Sequence, residues 1–82
     1  MRLLYFASLR ERIGTGEEEI DFPSETRTVA DVIAYLSARD EAYAATFASG
    51  TARAAVDKKH AKPDTPIAGA REIAFFPPMT GG

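Results

Sequence analysis

The sequence predicts a small α+β domain, a mixed sheet of four to five strands with one main helix packed on one face. Three observations predict it. Short apolar runs of strand length stand near both ends, Arg2 to Ala7 and Arg71 to Phe76. Between them Val29, Val32, Ile33 and Leu36 fall at the i, i+3, i+4, i+7 positions of one helical face. The chain has 82 residues, enough for one hydrophobic core and one domain.

The first run lacks strict alternation, which predicts a central strand covered on much of both faces. Ser8 stands three residues before Glu11, a capping-box spacing that predicts a short helix through Leu9 and Ile13, closed by Gly14 in the left-handed conformation. Glu17 to Phe22 reads as a second strand, paired to the first near an edge and ended by Pro23, with Glu17, Glu18 and Glu19 in solvent. Thr28 precedes Asp31 by the same capping spacing and starts the main amphipathic helix. Tyr43 and Phe47, four apart in an alanine-rich stretch, predict a further helical turn before Gly50. Arg53 to Asp57 is a third strand, Lys58 to Lys62 continues it or turns, and Pro63 to Pro66 is loop.

This order, with a helix long enough to cover one sheet face, suggests a β-grasp (ubiquitin-like) fold over residues 1–76, followed by an extended tail, 77–82. Strand parity separates Ile73 and Phe75 from Ala74 and Phe76, and Leu3 and Tyr5 from Leu4 and Phe6. With the helix on one side only, Phe6 and Phe76 face the less covered side beside the tail and form a candidate partner-binding patch; core filling is the competing account.

Composition narrows the function. Ten basic and 12 acidic residues give a net charge of −2 without a basic face, which argues against nucleic acid. No apolar run nears the roughly 18 residues that span a bilayer, and the apolar start is too short for a signal peptide, so no membrane association and a cytoplasmic location are expected. The absence of cysteine removes disulfides, thiolate metal sites and thiol nucleophiles. Asp31, Asp40, Asp57 and Asp64 show no metal-loop spacing, and no metal site is expected. His60 is the single histidine, set beside Lys58, Lys59 and Lys62, and reads as a solvated residue without an orienting partner. No phosphate-binding glycine motif is present, so no cofactor is expected on this chain.

The tail carries the candidate chemistry. Pro77 and Pro78 lack N–H donors, stop strand pairing and start a stiff arm through Met79 and Thr80 to Gly81 and Gly82. From Pro77 to the last carboxylate the arm spans about 20 Å when extended. Glycine has no Cβ, so Gly81 and Gly82 pass through a channel too narrow for other residues.

Ala74-Phe75-Phe76-Pro77-Pro78 with Thr80-Gly81-Gly82, the stretch from Leu4 to Gly14 and the run Ala54-Ala55-Val56-Asp57 together resemble the small, sulfur-carrier subunits of molybdopterin synthase, MoaD-like, over nearly the whole chain. Relatives commonly have asparagine in place of Asp57 and a glycine-aspartate turn in place of Gly69-Ala70-Arg71. The resemblance implies that an adenylating enzyme activates the Gly82 carboxylate with ATP and that a sulfurtransferase donor displaces AMP to leave a thiocarboxylate. It implies a large catalytic subunit, in a heterotetramer, that accepts the tail and transfers sulfur to cyclic pyranopterin monophosphate. This chain is then a non-catalytic subunit of a transferase, with Gly82 as carrier, Gly81, Thr80, Met79, Pro78 and Pro77 as inserted tail, and Phe6 and Phe76 toward the partner. Alternative readings are a sulfur carrier for thiazole or transfer-RNA thiolation, a ubiquitin-like modifier conjugated through Gly82, and an adaptor that uses the Phe6 and Phe76 face alone.

Overall fold

The computed structural model describes residues 1–78. The elements run β1 (Arg2–Tyr5), α1 (Ala7–Ile13), β2 (Glu17–Glu19), α2 (Val29–Arg39), α3 (Glu41–Phe47), β3 (Arg53–Val56), β4 (Lys59–Ala61) and β5 (Glu72–Phe76). The sheet order is β2-β1-β5-β3-β4; β1 and β5 are parallel and every other neighbouring pair is antiparallel. This is the expected β-grasp arrangement, with five strands.

Parity decides the core. Leu3, Tyr5, Ile73 and Phe75 are 0–1% exposed beneath the helices, together with Val29, Val32 and Leu36 of α2. The Phe75 ring stacks on Tyr5 at 6.1 Å and meets Phe47 of α3 edge-on at 5.2 Å, so both ends of the chain and its last helix share one aromatic cluster. Ile33, the remaining residue of the helical stripe, is only partly buried.

α2 starts where its capping box places it. Thr28 Oγ1 accepts from the Asp31 N–H at 3.2 Å, and Asp31 Oδ2 accepts from the Arg27 and Thr28 N–H groups at 2.9 and 3.1 Å. Those backbone hydrogen bonds hold the Asp31 carboxyl below its ordinary pKa. Loop carbonyls supply more of the cap: Val29 and Ala30 donate to the carbonyls of Thr65 and Pro63.

α1 corrects the sequence reading. Its N-cap is Phe6, without a side-chain capping bond, and Ser8 lies inside the helix. The Phe6 N–H still donates to Phe75 O in the ladder, and Phe6 O already accepts from Leu9 and Arg10. Sheet pairing thus sets the helix start two residues ahead of the capping motif, with Ala7 at φ +52 in the junction. Gly14 closes the helix at φ +92, as expected.

β2 and β3 stop earlier than their patterns suggest. Ile20 keeps one bond to Met1 O, whereas Phe22 leaves the ladder to pack edge-on against Tyr35 at 5.1 Å. β3 ends before Asp57 and Lys58, whose φ values of +47 and +71 make the two-residue turn into β4. Asp57 Oδ1 then accepts from the Arg71 and Glu72 N–H groups at 2.9 and 3.1 Å, which ties this turn to the start of β5. Asparagine has an equivalent acceptor, so the departure from the common residue preserves this contact.

Glu18 is the second correction, because it is not in solvent. Its carboxylate accepts from the Tyr5 hydroxyl at 2.7 Å, from the Tyr43 hydroxyl and from Arg39 at 3.2 Å. Arg39 also lies over the Tyr43 ring. These bonds join edge strand β2 to α2 and α3. Burial works against ionisation of Glu18, but the hydrogen bonds from Tyr43, Tyr5 and Arg39 outweigh it, and its pKa falls below the ordinary value. Burial, and then the bond to Glu18, raise the pKa of Tyr5 and Tyr43.

A depressed carboxylate stabilises the fold above its unfolded pKa, about 4.3, and this contribution is lost as pH falls through the lower folded value. Wild type should therefore lose stability on acidification below pH of about 4 more steeply than Glu18→Gln, as measured by urea unfolding at a series of pH values. Leu36→Ala, at a fully buried position, should cost about 3 kcal/mol in the same measurement at neutral pH.

Candidate functional site

The helices cover one face of the sheet and leave the other to solvent. Alternation places Leu4, Ala74, Phe76, Arg53, Ala55 and His60 on that open face. Phe6, just beyond β1, is 49% exposed, the one large apolar residue so exposed among those described. Phe76 is half-buried. The His60 ring meets it edge-on at 5.7 Å, across β3, where Ala55 has only a methyl group. The two rings predicted to face the less covered side therefore do so, and His60, exposed as expected, also stands beside this patch. The hairpin register, with His60 opposite Ala55 and Arg53 opposite Phe76, brings it there, and no sequence motif signals it.

The tail leaves from the same end of the sheet. Phe76 is the last residue of β5, and Pro77 and Pro78 follow without strand pairing. Pro78 lines a cleft of about 330 Å³ between Gly50–Arg53 and Ala61–Pro63. Met79, Thr80, Gly81 and Gly82 lie outside the described residues.

Among the described residues, no group of three or more histidine, aspartate and glutamate side chains is placed to hold a metal ion. No helix among them is long and apolar enough to cross a membrane. The larger open groove, about 840 Å³ and lined in part by Met1, Phe22, Arg27 and Ile67, involves none of the expected site residues.

The five-strand order, the parallel β1–β5 pair and the chain running on past the last strand define a ubiquitin-like β-grasp domain. The model of the ThiS family matches residues 3–82, and the chain belongs to that family. The molybdopterin synthase sulfur carrier subunit of Escherichia coli is 36% identical over all of this chain and 99% of its own length. Its namesake in Haemophilus influenzae is 29% identical over 100% and 99%, and that of Mycosarcoma maydis 33% identical over 100% and 92%. Among solved structures, SAMP1 of Haloferax volcanii superimposes with a TM-score of 0.75 at 24% identity over 100% of this chain and 98% of that one, a likeness of fold. A Pyrococcus furiosus protein described as subunit 1 of a molybdopterin converting factor gives 0.74 at 25% identity, covering 95% of each chain.

Phe6→Ala should leave stability within about 0.5 kcal/mol of wild type, because the ring is half exposed, none of the core aromatic pairs includes it, and alanine adds no side-chain cap to α1. The same change should weaken capture of a tail-accepting partner in a pull-down. A loss of stability above about 2 kcal/mol would instead assign Phe6 to the core.

Proposed function

We propose that this chain is the sulfur-carrier subunit of molybdopterin synthase and acts in molybdenum cofactor biosynthesis through its C-terminal Gly82. The observation that carries the reading is the full-length match to sulfur-carrier subunits of that enzyme, combined with a last strand that passes from Phe76 directly into Pro77 and Pro78. Its relatives are named as sulfur carrier subunits of that enzyme, and on this ground the chain is read as a non-catalytic subunit beside a large one.

The chemistry required of Gly82 follows from its carboxylate. With a pKa of about 3.5 it is an anion at neutral pH, resistant to nucleophiles. An activating enzyme therefore first joins it to AMP, releasing pyrophosphate from ATP; a sulfur donor then displaces AMP and leaves a thiocarboxylate. ATP and the donor bind those partners, with no cofactor on this chain. Gly81 gives clearance, Pro77 to Thr80 aim the arm, and Phe6 and Phe76 dock beside its root. The loaded tail enters the large subunit and gives its sulfur to cyclic pyranopterin monophosphate. A cytoplasmic location suits these ATP-dependent partners.

Intact mass after co-expression with the activating enzyme tests the reading. A mass increase equal to the exchange of one oxygen for sulfur is expected, localised to Gly82. An unchanged Gly82 that cannot be adenylated overturns the proposal, and ladders of larger conjugates would reassign the chain as a modifier. Removing Gly81 and Gly82, or adding one bulky residue after Gly82, should abolish loading, whereas Gly81→Val should lower sulfur transfer about 100-fold by misplacing the reacting carbon.

A further inference from the structure

The charges on this domain are unevenly matched. On the β1–β2 side, acidic and basic groups neutralise each other: Arg2 pairs with Glu17 at 3.2 Å, Arg39 with Glu18, and the N-terminal amine with Glu19. At the root of the tail the situation is reversed. Arg53 and Lys62 line the cleft beside Pro78, both are exposed, and neither takes part in an ion pair among the described residues. Among the described residues, no carboxylate lines that cleft.

The two cations are also held in place from below. Arg53 is opposite Phe76 in the β3–β5 ladder, and the β3–β4 register, with Ala54 opposite Ala61, brings Lys62 across from Arg53 at the next position. The Lys62 backbone is closed on both sides, its N–H donating to Thr65 Oγ1 at 2.8 Å and its carbonyl accepting from the Thr65 N–H at 3.0 Å. Next to them stand the Phe76 and His60 rings. An apolar, aromatic patch thus ends in a concave, cationic rim at the point where the chain leaves the fold.

We propose that this cleft receives a carboxylate side chain from the protein surface that accepts the tail, so that Arg53 and Lys62 orient the domain as its arm is inserted. The inference rests on the sulfur-carrier reading and adds the chemistry of the partner: an apolar centre for Phe6 and Phe76, flanked by aspartate or glutamate on the side facing β3 and β4. Paired cations at a rim steer encounter and set register, and their effect is screened by salt.

The test uses the full chain, the large subunit of molybdopterin synthase from the same organism, and titration calorimetry at low and high ionic strength. Arg53→Glu with Lys62→Glu should weaken binding about tenfold at low salt and flatten the salt dependence. Lys58→Glu with Lys59→Glu changes net charge equally at the other end of the hairpin and should have less than a threefold effect. Both pairs lie on exposed side chains, and circular dichroism checks their folding. Equal affinity of the two double variants overturns the proposal, as does a wild-type affinity that does not vary with salt. Normal binding with slow loading by the activating enzyme also overturns it and would transfer the cleft to a nucleotide phosphate. Sulfur loading of wild type, read by mass, is independent of all these outcomes: its absence overturns the sulfur-carrier reading itself.

Discussion

β5 lies between a parallel neighbour, β1, and an antiparallel one, β3, and the molecule is organised around that double pairing. With ladders on both sides, the strand can neither rotate nor slip by one residue without sending Ile73 and Phe75 to solvent. Its parity therefore decides at once which rings fill the core and which face outward. The same constraint sets the exit of the chain: since Phe76 is the last paired residue, Pro77 begins the departure from a defined point on a rigid strand.

The helices are joined to this frame by apolar packing and by one polar cluster. Tyr5, Tyr43 and Arg39 converge on Glu18, and the three donors come from a central strand and two helices. Burial disfavours such a carboxylate, and the three donors that converge on it outweigh that cost. This cluster holds β2, an edge strand of only three residues, whose own ladder is too short to secure it. Thr15 closes part of the outer edge, its hydroxyl donating to Glu17 O at 3.0 Å, which leaves less unpaired backbone for another strand to join.

The two faces divide the work. The helix-covered face holds the buried core, while the open face and the tail root carry more exposed groups, above all Phe6. Such a division suits a chain whose relatives are named as subunits of a synthase.

Much of this was legible along the chain. The capping box at Thr28 and Asp31, the helical stripe from Val29 to Leu36, and the alternation in β1 and β5 are local patterns, and local patterns survive folding when nothing stronger competes. Ser8 and Glu11 had the same local signal and lost, because the ladder bond from Phe6 to Phe75 took precedence. Glu18 looked like its solvated neighbours, since its three partners lie 13, 21 and 25 residues away and no window of sequence contains them. The rim formed by Arg53, Lys62 and Pro78 is hidden for the same reason. Sequence alone thus determined most of the elements, the buried parity and the composition of the tail, all governed by neighbours within a few residues, but left the segment of β4 open. The tertiary structure decided which polar groups meet, where the helix of the first turn begins and what surrounds the tail's root, because these depend on register between strands distant in the chain.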